Sequence, residues 1–370
     1  MVEILKKIKN LGFGWFYWRI KQEVINPTYK PIKNVINMVL SVKKIKYSKK
    51  KNPDLLYAIY DFEVAPITYN IIEFLVLIEF LIKENNKKGF VIVFVPKKEK
   101  SIKFISDYEK IIDTESQNWR IDNIVFQTAR LHPKCEGVLF LPTRKDIFDI
   151  VANYDIYPDL YDGVNIRYFD TAKYLKIMNK PNLYKGIKAS SQGKRYIDQY
   201  IKAKKIDKKI VTIAIRDYRY DLARNSNFDE WAKFVEYLLI NNYYPVIIPD
   251  TDNAFDNNLP FDSLYIFRDC CWNVGLRMAL YESSYINMGV ANGSICILLH
   301  SPDSNVIVMN CMPENSVVSS SKEYIKVGHT PGEQWKFLTS KQKMSFDEDV
   351  YANIVKEFEE YIKINYPVNL

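Results

Sequence analysis

The stretch that most narrows the choice of fold lies between residues 55 and 96. LLYAIYDF (55–62) and GFVIVFVP (89–96) are apolar along nearly their whole length, with no alternation of apolar and polar positions. Strands of that kind must be covered on both faces, which is the situation of a parallel sheet. Between them, VAPITYNIIEFLVLIEFLIKENN (64–86) reads as a loop feeding a long apolar helix. Two parallel strands need such a crossover, so the segment reads as a βαβ unit. Further strands are expected at NIVFQTA (123–129) and GVLFLP (137–142), with a weaker signal at VNIRYFD (164–170).

After a polar, basic joint at 180–207 the pattern begins again. KKIVTIAIRD (208–217) reads as a strand. NFDEWAKFVEYLLINN (227–242) reads as an amphipathic helix, with Asp229 and Glu230 in the first turn, where the helix dipole favours acids. YYPVIIPD (243–250) is the next strand, and SLYIFRD (263–269) a further candidate. Helix WNVGLRMALYESS (272–284), strand YINMGV (285–290), loop ANGS, helix ICILLHS (295–301) and strand NVIVMN (305–310) follow. The chain closes with a helix over 346–364. Two consecutive αβ halves imply an α/β protein of two Rossmann-like parallel-sheet domains facing a cleft. The expected division is a basic amphipathic segment and linker (1–53), a first Rossmann-like domain (54–190), a second (191–345), and a C-terminal helical segment (346–370) that could cross back to the first. A chain of 370 residues accommodates two such cores.

Charge is unevenly spread. Residues 1–51 hold thirteen Lys and Arg against Glu3 and Glu23, a surplus of eleven; the whole chain carries +8, so the body is about −3. That distribution argues against a nucleic-acid channel through the body. It fits a local patch facing an anionic surface. Leu5, Ile8, Leu11, Trp15 and Trp18 fall at helical spacing among the cations, so a helix lying on a membrane surface and a helix packed on the body with a solvated basic face are both consistent with it. The five cysteines include no C-x-x-C pair, and the three histidines lie far apart, so free thiols and the absence of a zinc site are expected. No secretory signal is visible, and the apolar run IIEFLVLIEFLI (71–82) carries Glu73 and Glu79 and is too short to span a bilayer. The expected location is cytoplasmic, soluble or peripheral to the inner membrane face.

Open α/β sheets bind ligands at the carboxyl ends of their strands, so candidate residues are sought there. Arg216 follows strand 208–217, and Arg219, Arg224 and Asn225 follow within IRDYRYDLARNSNFDEW. Arginines at a strand-to-helix loop could clamp a diphosphate by bidentate pairing; a solvated loop with local Arg216–Asp217 pairing is the plainer alternative. Asn292, Gly293 and Ser294 stand between a strand and a helix, where backbone N–H groups and the dipole can receive an anion. A capped turn without a ligand has the same signature. Asp250-Thr251-Asp252 is a D-x-D triplet, given little weight as a metal site because such matches are common. Asp61 and Glu63 follow the first strand and could deprotonate an acceptor hydroxyl, or simply belong to the loop before the helix. Glu282, at a helix end, could accept sugar or ribose hydroxyls. No G-x-G-x-x-G or Walker A motif occurs.

Three segments of the C-terminal half carry a family resemblance: IAIRDYRYDLARNSNFDEWAKFVEYLLINNYYPVIIPDTD, LRMALYESSYINMGVANGS and GEQWKFLTSKQKMSFDED. With YDFEVAPITYNIIEFLVLIEFL and WRIDNIVFQTARLHP in the first half, the chain resembles GT-B glycosyltransferases, in particular bacterial surface-polysaccharide (O-antigen or capsule-type) enzymes, over about residues 55–365. The resemblance implies transfer of a sugar from a nucleotide-sugar donor to a glycan or polyprenyl-linked acceptor, by an enzyme of the hexosyl- or deoxyhexosyltransferase class. It implies donor phosphates at Arg216, Arg224, Asn225, Asn292, Gly293 and Ser294, and no cofactor or bound metal. A non-catalytic nucleotide- or glycan-binding protein of the same fold is the alternative.

Overall fold

The computed structural model describes residues 12–17, 19–21, 50–98, 111–163, 170–180, 186–255, 259–326 and 329–367. It divides into two compact units: 1–67, 77–118 and 134–171 form the first, and 68–76, 119–133 and 172–370 the second. Each is built on its own parallel sheet.

The first unit contains β1 (Leu55–Asp61), β2 (Gly89–Val95), β3 (Cys135–Phe140) and β4 (Ile156–Tyr157), in the order β3-β2-β1-β4. All neighbours are parallel, and β1 and β2 pair in register from Leu55–Gly89 to Asp61–Val95. Helix α1 (Ile71–Glu84) is the crossover between β1 and β2. Every residue of β2 is buried, as its unbroken apolar run requires, whereas β3 at the edge is largely accessible. One face of the sheet packs Tyr57, Ile59, Val91, Val93 and Val95 against Ile147, Ile150 and Tyr161.

The second unit has β5 (Lys209–Ala214), β6 (Tyr243–Ile248), β7 (Ile286–Val290), β8 (Val306–Met309) and β9 (Gln342–Met344), ordered β6-β5-β7-β8-β9 and parallel throughout. The strand order reverses between β5 and β7, the switch point at which sheets of this kind open a ligand crevice. Helices α2 (Ser191–Ala203), α3 (Phe228–Ile240), α4 (Val274–Ser283) and α5 (Tyr351–Asn365) surround it. One face buries Val211, Ile213, Ile247, Met288 and Ile307 beneath Trp231, Phe234 and Leu238 of α3 and Ile354, Phe358 and Tyr361 of α5. The buried face of the final helix thus belongs to the second unit's own core, where the sequence left a return to the first domain open.

Polar groups in this core are paired. Asn287 on β7 is fully buried; its amide donates to the Tyr281 and Asn305 carbonyls at 2.9 Å, and it accepts from Thr212 Oγ1 on β5. Asp349 accepts from the Asn227 amide (2.8 Å) and from Trp231 Nε1 (2.9 Å), tying the start of α3 to the lead-in of α5.

Several elements differ from the sequence expectation. The strand expected at 123–129 is helical: residues 114–130 run as a short α-helix, a π-turn (Ile121–Phe126) and a last turn (Gln127–Arg130). Its buried residues Ile124, Val125, Thr128 and Ala129 repeat at helical spacing, and in so short a window NIVFQTA reads equally as a strand. SLYIFRD forms a 3-10 turn (Ser263–Tyr265), with only an Ile266–Ile247 bridge to the sheet. WNVGLRMALYESS is broken at Asn273, whose side chain caps α4 by accepting from the Leu276 amide at 2.7 Å. The expected strand 164–170 lies, except for Asp170, outside the described residues, as do most of residues 1–49. Among the described residues, no helix is long and apolar enough to cross a membrane.

Candidate functional site

The carboxyl ends of β5 and β7 meet at the arginine loop and the Asn-Gly-Ser turn. The main chain after β5 runs from Ile215 into Arg216, whose amide donates to Ser226 Oγ (2.9 Å) and whose carbonyl accepts from the Ser226 amide (2.9 Å). Loop 216–226 is thereby closed on itself. Inside it the Arg216 guanidinium donates to the Tyr220 carbonyl (2.5 Å), the Asp221 carbonyl (3.1 Å) and Asn225 Oδ1. Asn225 is engaged at both ends, since Oδ1 also accepts from the Tyr218 amide and Nδ2 donates to the Tyr218 carbonyl, each at 3.1 Å. Burial, and then the nearby Arg224 charge, lower the Arg216 pKa. Arg216 and Asn225 therefore shape the loop from within. Arg219 is exposed on it.

Arg224 links the loop to the turn. Its Nη2 donates to the Ala291 carbonyl at 2.8 Å, immediately before Asn292-Gly293-Ser294, and its Nε is buried without a hydrogen-bond partner among the described residues. Asn292 caps the turn: Oδ1 accepts from the Ile295 amide (3.0 Å) and Ser294 Oγ (2.7 Å), and Nδ2 donates to the Val290 carbonyl (3.1 Å). The helix expected over 295–301 is one α-turn (Gly293–Cys296) followed by a 3-10 turn (Ile297–His300), too short for a substantial dipole. Gly293 is not open to solvent on its Cβ side. A Cβ there would fall 2.7–3.1 Å from the Tyr69 ring and its Cβ, so the absent side chain accommodates Tyr69.

Around this turn lies a set of groups that the sequence reading did not single out. Arg277 on α4 is 5% exposed. Tyr69, Tyr281, Cys270 and Cys271 surround it closely enough to shift its ionisation, and Arg277 acts in turn on Asp250. Arg120 donates to Tyr218 Oη at 3.0 Å and lies over that ring. The available signal was one arginine inside the otherwise apolar run LRMALY; an amphipathic helix gives its charges to solvent, so a charge on a buried face marks a special environment. Asp250 of the D-x-D triplet accepts from the Asp217 amide at 3.3 Å, and burial first of all raises its pKa. Among the described residues no group of three His, Cys, Asp or Glu side chains is placed to hold a metal ion.

Glu282 is held by its neighbours: Oε1 accepts from the Ala189 amide (2.8 Å) and Oε2 pairs with Lys194 of α2 (2.6 Å). In the first unit, Asp61 ends β1 and Glu63 follows it; both are buried, but their partners differ. Asp61 is fully buried and accepts from Arg144 Nη1 (2.7 Å) and Nη2 (2.6 Å), Tyr161 Oη (2.5 Å) and the Glu63 amide (2.9 Å). Burial, and then the Asp61 charge, push the Tyr161 hydroxyl well up, so it remains a donor. Glu63 accepts from the Lys98 amide at 3.0 Å.

The two Rossmann-like parallel-sheet units, of four and five strands, are those of the GT-B class of folds. A family 9 glycosyl transferase from Veillonella parvula DSM 2008 superimposes with a TM-score of 0.52 over 86% of this chain and 100% of that one, at 9% identity. The Escherichia coli ADP-heptose lipopolysaccharide heptosyltransferase II gives 0.53 over 83% and 98%, at 8% identity. At such identities the likeness is one of fold. No protein-family model matches the chain, and no curated protein matches it in sequence.

Proposed function

We propose that the protein is a glycosyltransferase that takes a sugar from a nucleoside-diphosphate donor, bound by the second unit, to a glycan or polyprenyl-linked acceptor. The observation that carries this reading is the Arg224–Ala291 hydrogen bond, which joins a cationic loop after β5 to the turn after β7 at the sheet's switch point. Negative charge grows on the departing diphosphate as the glycosidic bond breaks. Fixed donors placed where that charge develops lower the barrier more than they tighten substrate binding. Arg224 is the loop cation placed for this, with Arg216 and Asn225 holding its loop in shape. Glu63 is proposed as the base that takes the acceptor hydroxyl proton, because the Asp61 carboxylate already accepts four hydrogen bonds. Protein cations would meet the leaving-group charge, so transfer should persist in EDTA. The structural neighbour named for ADP-heptose makes an ADP-linked heptose one donor to try beside hexose and deoxyhexose donors. Through residues 1–51 the enzyme would work at the inner, anionic membrane surface.

A thermal-shift panel of ADP-, UDP-, GDP-, dTDP- and CMP-sugars, ADP-heptose included, tests the donor. One nucleoside diphosphate and its sugar should raise the melting temperature, and no stabilisation by any of them would overturn the reading. With the donor known, Glu63→Gln should lower kcat by about 100-fold or more while donor affinity holds. Donor binding with no turnover on any acceptor would instead favour a non-catalytic nucleotide-binding role.

A further inference from the structure

Arg277 presents an unusual arrangement for a buried cation. Its Nε donates to the Cys270 carbonyl at 2.8 Å and its guanidinium also hydrogen-bonds the Cys271 thiol, but among the described residues it has no ion pair. Buried guanidinium groups are ordinarily matched by carboxylates, because desolvation is otherwise uncompensated. Here the nearest neighbours are phenols and thiols. Tyr69 is half-buried and Tyr281 buried, both with raised pKa, and burial raises the Cys270 and Cys271 thiols. Asp250, whose pKa burial raises, is an acidic neighbour, but among the described residues it makes no hydrogen bond or ion pair with Arg277.

A second buried polar group in the same cluster lacks a partner. Tyr281 is 1% exposed, and its hydroxyl faces Ser294 but is left without a hydrogen-bond partner of good geometry. Ser294 belongs to the turn against which Tyr69 packs. Arg277 and Tyr281 are four residues apart on α4 and so share one helix face, one turn apart. That face therefore carries a buried guanidinium with no ion pair among the described residues and a buried hydroxyl without a hydrogen-bond partner, both beside the Asn-Gly-Ser turn.

We propose that Arg277 and Tyr281 form an anion pocket that receives a phosphoryl group of the nucleoside-diphosphate donor, with Ser294 at its edge. The inference rests on the donor-binding reading above and adds a residue-level claim. Arg216 is a loop-shaping residue, and Arg277 supplies the buried cation at the ligand. A planar guanidinium held by the Cys270 carbonyl and the Cys271 thiol has five N–H donors in all, so donors remain for a phosphate contact.

The test is calorimetric titration of the full chain with inorganic pyrophosphate, with the stabilising nucleoside diphosphate, and with the matching nucleoside. Wild type is compared with Arg277→Gln, Arg277→Lys and Tyr281→Phe, each checked for fold by circular dichroism. Arg277→Gln should weaken pyrophosphate and diphosphate by about 10- to 100-fold, with Arg277→Lys recovering part of the loss, while nucleoside binding is unchanged. Tyr281→Phe removes only a hydroxyl with no good partner, so it should fold as wild type and weaken the phosphate ligands about 5-fold. If Arg277→Gln does not fold, Tyr281→Phe and Arg277→Lys decide. Undiminished phosphate affinity in the folded variants would overturn the pocket while leaving donor binding by wild type intact. Failure of wild type to bind any phosphate ligand would overturn the donor reading itself.

Discussion

At the scale of single residues, bonding partners separate carboxylates that look alike in sequence and are both buried. Asp61 is buried beneath a bidentate arginine and a tyrosine, so losing Arg144 would leave a buried charge without its main partner. Arg144→Met is expected to cost about 3–5 kcal/mol in urea unfolding, whereas Glu63→Gln should change stability by under about 1 kcal/mol. Similar losses in both would place Glu63 in the same structural network and remove it as the base. Glu73 behaves differently again. Burial pushes its carboxyl from the ordinary 4.5 up to about 7. The folded state then holds the proton more tightly than the unfolded chain. The stability tied to that proton is complete below pH 4.5 and is lost as the pH rises through 7. Glu73→Gln keeps the neutral form at every pH. It should match wild type near pH 4.5 and exceed it at pH 8 by up to about 3 kcal/mol, read from paired melting curves. An equal gain at both pH values would show that charge burial is not the cause. Residue type and strand-end position were legible in the sequence for Asp61, Glu63, Arg216 and Arg224. What each touches was not, since internal bonding such as that of Arg216 to the Tyr220 and Asp221 carbonyls depends on how loop 216–226 closes.

At the scale of elements, strands buried on both faces were the most legible, because β1, β2, β5, β6, β7 and β8 have no polar face to blur the pattern. Short apolar runs beside turns were the least legible. NIVFQTA and SLYIFRD are long enough for either geometry, and tertiary packing decided both. The turn after β7 illustrates the same limit. Its glycine suggested room for a ligand, but the space is taken by Tyr69, from a segment more than two hundred residues earlier. Gly293→Ala should therefore destabilise the protein by about 1–3 kcal/mol through overpacking against that ring. Paired with Tyr69→Ala, which removes the ring, the same substitution should cost less, and a double-mutant cycle by chemical denaturation should show coupling of at least about 0.5 kcal/mol. Strict additivity would mean that the two residues do not press on one another. Gly289 offers a sterner case, since a Cβ there would lie 2.4 Å from the Ala214 carbonyl oxygen of the neighbouring strand, where the backbone cannot yield without breaking the β5–β7 ladder.

For the whole molecule, the informative quantity is how charge divides along the chain. The +11 of residues 1–51 and the −3 of the remainder have opposite consequences at an anionic surface: the first is drawn in and the second weakly repelled. Where the N-terminal segment is described, residues 12–17 and 19–21 are helical, with Trp15 buried and Phe13, Phe16, Tyr17 and Ile20 exposed. Exposed aromatic and aliphatic groups beside cations suit the headgroup region, where rings bury their apolar bodies and each cation contributes about 1 kcal/mol at low salt. The cationic contribution is screened within about 10 Å at 0.1 M ionic strength, while the apolar contribution is not. Flotation with vesicles containing phosphatidylglycerol should therefore recover the full chain at low salt, lose most of it near 0.5 M salt, and recover little with purely zwitterionic vesicles. A chain lacking residues 1–51 should stay with the soluble fraction throughout. Binding that ignores salt would assign the attachment to the apolar groups alone. Binding that survives the truncation would move it to the body of the protein, where the net negative charge offers no electrostatic reason for it.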